Sequence, residues 1–202
     1  MTSKDKEIQS YFGLIEKSVQ KLEHIFNDFK EVSFILHGEL NITTFDIKEL
    51  IEEVSISVFR KRNKDINKAL IDVEVLTDSQ YMTSDRALLK RLVYQIIENV
   101  FEHNNYYDTE LKITFEKENS SHYRMYFKDN GIGIPENLQK KVFEVFFKGK
   151  RSDINVGMGL YMAKKVVSRL GGELNLKSEI ETGTTIEVIL PVRQLAENLN
   201  YN

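Results

Sequence analysis

The sequence has 202 residues, of which 41% are hydrophobic, and a formal net charge of −3 from 28 basic and 31 acidic residues. This size supports one substantial core, and the near balance of charge does not favour nucleic acid or an anionic membrane as a partner. The lack of cysteine excludes disulfides and thiolate metal sites. No apolar run approaches the roughly 18 residues of a membrane span, and the amino terminus lacks a signal-peptide pattern, so we expect a cytoplasmic protein.

The first predicted element is a long helix over residues 1–36 with an apolar seam. Its apolar residues recur at alternating spacings of four and three, which is typical of a coiled coil or a helix bundle. They are Ile8, Phe12, Ile15, Val19, Leu22, Phe26 and Phe29. A lone helix would expose this seam to water, so the sequence predicts a homodimer or heterodimer through the N-terminal unit, residues 1–42.

A second unit is predicted over residues 43–193, with residues 194–202 as a frayed tail. Gly38 and the following "ELNITT" end the first helix, and "DIKE" has the spacing of a capping box for an amphipathic helix that reaches about Arg60. The alternating segment "ALIDVEVL" predicts a strand. A long helix, "TSDRALLKRLVYQIIENVFEHN", then opens on a Ser/Asp start signal.

The rest of this unit contains four short strands and two helices. The segments "LKITFEKE", "YRMYFKD", "GELNLKSE" and "TTIEVILPV" predict strands, while "ENLQKKVFEVF" predicts a short helix and "LYMAKKVVSRL" a longer one. Strands joined mainly by hairpins, with the helices set apart, favour an α+β two-layer sandwich. We expect a mixed, mainly antiparallel sheet with helices on one face.

A polar stripe runs along the long helix. At about 100° per residue, Gln95, Asn99 and Glu102 lie within roughly 60° of one another, opposite an apolar side. An asparagine carbonyl oxygen suits Mg²⁺, which also takes waters and substrate phosphates, so Asn99 is a candidate metal ligand. A solvent-facing stripe on a surface helix is the alternative that this segment leaves open.

Two glycine-containing segments follow. In "DNGIGIP", Gly131 and Gly133 allow positive φ angles and close approach of a ligand, and Asp129 can accept a hydrogen bond from an exocyclic amine such as that of adenine. In "NVGMGL", Gly157 and Gly159 precede a helix, where free backbone N–H groups favour an anion such as phosphate. Each segment taken alone could equally be a turn.

The order of these segments carries more information than any one of them. An asparagine on a helix, then "DNGIGIP", "VFEVFFKGK", "GMGL" and "GTT", resembles the catalytic ATP-binding domain of sensor histidine kinases, a branch of the Bergerat-fold ATPases. The resemblance covers about residues 43–193. Residues 1–42 resemble the second helix of the dimerisation and histidine-phosphotransfer hairpin of these kinases.

The resemblance implies ATP and Mg²⁺ as cofactors and assigns roles to matching positions. Asn99 would bind Mg²⁺, Asp129 the adenine amine, and Thr184 would lie near the base. Lys148 stands where family members often carry an arginine that reaches the phosphates, and Lys148 and Gln95 are the catalytic candidates. The residues expected to contact nucleotide are Asn99, His103, Asp129, Gly131, Gly133, Ile134, Phe143, Phe146, Lys148, Gly157, Met158, Gly159, Leu160 and Thr184, with Phe143 and Phe146 in the ATP lid.

Three positions depart from the family pattern. Asn155 replaces the first of three glycines in the lid motif, and asparagine tolerates the left-handed region better than other side chains. Glu102 replaces a common lysine, and its carboxylate would repel triphosphate unless Mg²⁺ or Lys148 intervenes. Gln95 stands where ATP-hydrolysing relatives hold a glutamate; an amide cannot act as a general base, which argues against a clamp-like ATPase.

The phosphoacceptor motif of the family, a histidine followed by an acid and soon after by a basic residue and a proline, has no match among the four histidines. His24, with Asp28 one turn away, is the nearest candidate for a functional histidine, and a solvated surface histidine is the alternative. Of the other three, His37 lies at a predicted helix end, His103 beside the polar stripe, and His122 in a predicted hairpin turn.

The sequence therefore predicts the catalytic part of a two-component histidine kinase. The γ-phosphate of ATP would pass to a histidine from a missing segment or a partner chain, and a response regulator receiver domain would be an indirect partner. A non-catalytic ATP-binding module that pairs with an intact kinase through the helix seam is the alternative.

Overall fold

The computed structural model describes residues 3–61, 70–77, 79–103, 109–118, 121–147 and 157–193. The helices in these ranges are α1 Ser3–His37, α2 Ile47–Lys61, α3 Arg86–His103, α4 Glu136–Gln139 and α5 Gly159–Arg169. The strands are β1 Ile42–Asp46, β2 Leu70–Val75, β3 Tyr81–Asp85, β4 Glu110–Glu118, β5 His122–Asp129, β6 Glu173–Glu179 and β7 Gly183–Pro191. The predicted tail, residues 194–202, lies outside the described residues.

The main sheet has five strands in the order β2-β4-β5-β7-β6. β2 pairs with β4 in parallel, and the other three pairs are antiparallel. Alternate residues of β5, Tyr123, Met125 and Phe127, are buried, while the residues between them are not. One face of the sheet therefore meets the core. The strand pairings confirm the predicted mixed, mainly antiparallel sheet of an α+β fold.

The helices supply the other layer of the core. α3 packs against both α2 and α5, and its apolar positions Leu89, Val93 and Ile96 are fully buried. Ala163 and Val166 of α5 are buried in the same core as the inward side chains of the sheet. The apolar side predicted for α3 thus faces the core, and its polar stripe points elsewhere.

Charged groups fix the start of α2 and join α2 to α3. The Asp46 carboxylate accepts the backbone N–H of Lys48 at 2.8 Å and so caps α2 as predicted. Further along α2, Glu53 pairs with Arg86 at 2.8 Å and with Lys90 at 2.5 Å, both on α3. Hydrogen bonds from Lys90 and Arg86 hold the pKa of the Glu53 carboxyl below its ordinary value.

A small antiparallel sheet of β1 and β3 stands beside the main one. The sequence prediction assigns strand to neither segment, reading the first as the end of a helix and the second as the start of another. The buried Asp85 carboxylate accepts the N–H of Leu88 at 2.9 Å and that of Asn41 at 2.8 Å. It therefore caps α3 and also fixes the segment that leaves α1.

The segment "ENLQKKVFEVF" is not one helix, contrary to the prediction. α4 covers only four residues, and a short 3₁₀ turn, Lys141–Phe143, follows it. Glu144 has an extended backbone and Phe146 a φ of 64°, so the helix cannot continue through them. Val142 and Phe143 instead pack against the core, which shows tertiary contacts overriding local helix preference.

Helix α1 is divided into an exposed part and an anchored end. The seven seam residues are 47–67% exposed. Near the end of α1, Glu31 pairs with Arg91 of α3 at 2.6 Å, and the Arg91 guanidinium lies 4.4 Å from the centre of the Phe34 ring. Ile35 is buried in the core. No helix in the described ranges combines the length and apolar character needed to cross a bilayer.

Candidate functional site

At one end of the main sheet, where β5 and β6 end and β7 begins, the inward side chains change from apolar to polar. Asp129 occupies the last inward position of β5 and is only 7% exposed. Ser178 of β6 and Thr184 of β7 are cross-strand partners, and both continue the inward faces of their strands. A carboxylate and two hydroxyls therefore cluster at the same end of the sheet, on its helix-covered side.

The Asp129 carboxylate is held by backbone groups on two sides. Its Oδ1 atom accepts the N–H of Gly131 at 2.8 Å and the N–H of Thr184 at 3.3 Å. One bond comes from the loop after β5 and the other from β7. Hydrogen bonds from backbone N–H groups to a carboxylate fix its orientation, so Asp129 presents a defined acceptor at the sheet end.

Two glycines let the backbone pack closely around this carboxylate. Gly133 has a φ of 70°, and a Cβ added there would lie 2.0 Å from the backbone oxygen of Glu179. Gly183 has a φ of 122°, and an added Cβ would lie 2.0 Å from the backbone oxygen of Asp129. Neither position accommodates a side chain, because the conformation and the space both require glycine.

The sequence reasoning missed two side chains that hold this loop in place. The Ser178 hydroxyl accepts the N–H of Ile134 at 2.7 Å. Gln139 donates from Nε2 to the backbone oxygens of Ile134 at 3.0 Å and Ser178 at 2.7 Å. Ser178 stands six residues before Thr184 on the opposite arm of a hairpin, and only the strand register shows that the two hydroxyls meet.

The polar stripe of α3 faces the start of α5. Gln95 and Asn99 are both half-buried. A Cβ added at Gly159 would lie 3.0 Å from Oε1 of Gln95, so the first residue of α5 sits against the stripe. The first N–H groups of a helix have no partner within the helix and favour an anion, and the start of the 11-residue α5 lies next to the Gln95 amide. The buried Met158 side chain anchors this helix start in the core.

Only a short stretch of chain separates the end of α3 from the strands that carry the Asp129 cluster. The carboxyl end of α3 leads to β4, whose first residue, Glu110, donates its N–H to Oδ1 of Asn130 at 2.8 Å. In the sheet, Leu111 is the direct partner of Asp129. Six residues separate His103 from β4, so the end of α3 lies within roughly 25 Å of the edge where β5 ends.

The segment expected to form the ATP lid starts and ends close together. A Cβ added at Gly157, where φ is 74°, would lie 2.1 Å from the backbone oxygen of Phe147. Phe143 packs against the core with Nζ of Lys164 5.4 Å from its ring centre, whereas Phe146 is 52% exposed. Lys148 and Asn155, and the side chain of His103, lie outside the described residues, so the roles expected of them stay predictions.

The donors near α3 fit magnesium better than a transition metal. Within the described ranges, no group of three or more His, Cys, Asp or Glu side chains could hold a metal ion. Mg²⁺ does not need such a cage, because it is commonly bound by one or two protein oxygens together with waters and substrate phosphates. The Asn99 carbonyl oxygen, one helical turn from the Gln95 that contacts the start of α5, is compatible with that pattern.

The sequence of the chain is similar to those of sensor kinases. The chain is 25% identical over 194 residues to the sensor protein kinase GraS of Staphylococcus aureus strain JH1. The alignment covers 88% of this chain and 54% of GraS. The chain thus spans about half the length of the curated relatives it matches.

Solved structures show the same fold. The nucleotide-free catalytic domain of histidine kinase ThkA superposes with a TM-score of 0.64 at 25% identity, covering 75% of this chain and 96% of that domain. ThkA in complex with the response regulator protein TrrA superposes with a TM-score of 0.65, also at 25% identity, covering 92% of this chain and 52% of that one.

A family model completes the assignment. The model described as "Histidine kinase-, DNA gyrase B-, and HSP90-like ATPase" matches residues 84–194, which is more than half of the chain. The matched region contains α3, the glycine segments, α5 and the Asp129 cluster. The chain therefore belongs to the family of histidine kinase-, DNA gyrase B- and HSP90-like ATPases.

Proposed function

We propose that this chain is the ATP-binding catalytic part of a sensor histidine kinase of a two-component system. The observation that carries the proposal is the contact of Gly159, the first residue of α5, with Gln95 of the α3 stripe. The second element is the buried carboxylate of Asp129 at the end of β5. A nucleotide lying there would place its phosphates at the helix start and its base beside the carboxylate.

Each part of the nucleotide has a candidate partner in this arrangement. Asp129 would accept a hydrogen bond from the adenine amine, and the backbone N–H groups near Gly157 and Gly159 would bind the phosphates. Asn99 would hold Mg²⁺, which when bound neutralises charge on the phosphates. Lys148 would reach the phosphates from the lid segment.

The chemistry proposed is transfer of the γ-phosphoryl group to a histidine. The P–O bond to ADP breaks while a P–N bond to the imidazole forms, and the site contributes by positioning the two groups in line. Gln95 has no basic group to activate water, which favours transfer over hydrolysis. The acceptor histidine would come from another segment or a partner chain.

The N-terminal helix suggests how that acceptor is supplied. Two copies of α1, or α1 and a related helix, would bury the exposed seam against each other as a coiled coil. The dimer would bring an acceptor helix within reach of the nucleotide. A response regulator receiver domain would then take the phosphoryl group, in line with the partner named in the ThkA–TrrA complex. These steps would take place in the cytoplasm.

A non-catalytic nucleotide-binding module is the second candidate. Glu102, half-buried on α3 in the same stripe as Asn99, favours it, because a carboxylate facing a triphosphate weakens binding unless a cation lies between them. Such a module would bind nucleotide weakly and pair with an intact kinase through its helix seam without transferring phosphate.

Labelled ATP separates these functions. The chain is incubated with Mg²⁺ and γ-labelled ATP, alone and with a histidine-phosphotransfer hairpin, beside an Asn99→Ala variant as the matched control. Labelling of the hairpin by the parent chain but not by the Asn99→Ala variant supports the kinase function. Nucleotide binding without transfer supports the regulatory module, and steady release of labelled phosphate without a hairpin contradicts both.

A further inference from the structure

The side-chain amide of Gln139 donates to two backbone oxygens at once. Its Nε2 atom lies 3.0 Å from the oxygen of Ile134 and 2.7 Å from the oxygen of Ser178. Because carbonyl oxygens only accept, the NH₂ end of the amide must face them, and each of its two hydrogens has its own acceptor. A carboxylate or an alkyl side chain offers no hydrogen here, and asparagine is one methylene shorter. Both bonds therefore depend on the glutamine amide.

These bonds join the loop after β5 to strand β6. Ile134 belongs to the loop that begins at Asp129, and its N–H donates to the Ser178 hydroxyl at 2.7 Å. Both backbone groups of Ile134 are thus bound, the N–H by Ser178 and the oxygen by Gln139. Gln139 therefore helps to fix the loop beside the carboxylate where the base is proposed to bind.

The same short segment also reaches helix α5. One turn after Gln139, the 3₁₀ turn Lys141–Phe143 contacts α5. The Phe143 ring packs against the core, and its centre lies 5.4 Å from Nζ of Lys164 on α5. The start of α5 is where the phosphates are proposed to bind. Residues 134–143, the bracket, therefore connect the loop at the base side of the site to the helix at its phosphate side.

We propose that Gln139 is a positioning residue that couples the two halves of the nucleotide site: through the bracket, a base bound at Asp129 strengthens the binding of phosphates at the start of α5. This rests on the proposed function, since it assumes that base and phosphates bind at these two places. A base against the loop holds Ile134 in place and, through Gln139, orders the bracket against α5. The conformational entropy lost on ordering the bracket is then lost once for both halves.

Adenosine and Mg-ATP test the coupling, because adenosine carries the base without the phosphates. Dissociation constants for both are measured by NMR titration on the full chain and on Gln139→Leu, which fills similar space and cannot donate. Adenosine binding should weaken by about threefold or less, through poorer support of the loop, and Mg-ATP binding by about tenfold or more. The ratio of the adenosine to the Mg-ATP dissociation constant should therefore fall by at least about threefold.

A second variant and the ratio itself separate positioning from structure. Asn137→Leu replaces an exposed amide on the same short helix and is the matched control, with no expected change in either dissociation constant. If Gln139 only supports the loop, Gln139→Leu weakens adenosine and Mg-ATP by the same factor. Equal weakening of the two ligands would overturn the proposal.

Hydrogen exchange on the unmodified chain decides the question if Gln139→Leu does not fold. Adenosine has no phosphates to reach α5, so any effect there must pass through the protein. Saturating adenosine should slow exchange by about threefold or more at the N–H of Glu144, bonded to the Lys141 oxygen at 2.9 Å, and at that of Met162, bonded to the Met158 oxygen at 2.8 Å. Unchanged exchange at both N–H groups would overturn the proposal.

The two proposals fail in different ways. A chain that binds neither adenosine nor Mg-ATP refutes the proposed function and this inference with it. A chain that binds Mg-ATP, with a ratio of dissociation constants that Gln139→Leu leaves unchanged, overturns the coupling alone and leaves the proposed function standing.

Discussion

Replacing Gly183 with alanine tests whether close backbone packing positions the site. The added Cβ would lie 2.0 Å from the Asp129 backbone oxygen, and ordinary contact begins at 3.4 Å. The start of β7 and the end of β5 must therefore separate by about 1.4 Å, the difference between those two distances. The separation disturbs the residues that hold the Asp129 carboxylate.

The expected cost follows from the same contacts. Holding alanine at a φ of 122° costs about 1–3 kcal/mol. Stretching the bond from Thr184 N to Asp129 Oδ1, at 3.3 Å, and that from Ser178 to the Gly183 oxygen, at 2.9 Å, forfeits about 1 kcal/mol each. The free energy of unfolding should fall by about 3–5 kcal/mol, which lowers Tm by roughly 6–20 °C.

Thermal unfolding by circular dichroism and calorimetric titration with Mg-ATP measure the two effects. Gly13→Ala is the control, because nothing lies within 4 Å of a Cβ added there and alanine favours a helix by about 0.5–1 kcal/mol. Gly183→Ala should lose stability and bind ATP at least about tenfold more weakly, while Gly13→Ala should lose neither. Unchanged Tm and affinity in Gly183→Ala would refute the packing argument.

Two further predictions concern other parts of the chain. Glu53→Gln removes the ion pairs to Lys90 and Arg86 and, since these groups are about 40% exposed, should lower the free energy of unfolding by no more than about 1 kcal/mol at pH 7. Because those partners depress the pKa of folded Glu53, the stability that the ion pairs contribute is present above the unfolded pKa of about 4.5 and is lost as pH falls through the folded pKa. Denaturant titrations should therefore show the free energies of unfolding of variant and parent converging in acid. A difference in stability that persists in acid would contradict this assignment. Leu22→Asp places a charge on the exposed α1 seam and should convert a dimer to a monomer in analytical ultracentrifugation, while the off-seam control Lys17→Asp should not. Equal association of both variants would rule out pairing through the seam.

Local sequence patterns predict the parts of the fold that local physics decides. The helix α1, the Asp46 cap and the apolar side of α3 depend on spacings of three and four residues, and the structure confirms these elements. Pairing through the α1 seam stays a prediction. The glycines at 133 and 183 are needed because the backbone approaches within contact distance there, and the glycine motifs marked both turns.

Contacts between distant segments account for what the sequence does not predict. β1 and β3 are five residues each and pair across about 40 positions, so neither resembles a strand until both are placed. The segment after α4 has helix-forming residues, yet Val142 and Phe143 leave the helix to reach the core. Ser178 shows no local sign of importance, because its three bonds go to segments that only the fold brings together.

Binding of Mg-ATP to the parent chain and to Asp129→Asn tests the central claim most directly. The variant keeps an oxygen that can accept from Gly131 and Thr184, so the fold should persist, while the charged acceptor for the base is lost. The account predicts saturable one-to-one binding to the parent, with a dissociation constant below about 1 mM, and at least tenfold weaker binding to the variant. Absence of saturable binding to the parent, or equal affinity in the two proteins, would contradict it.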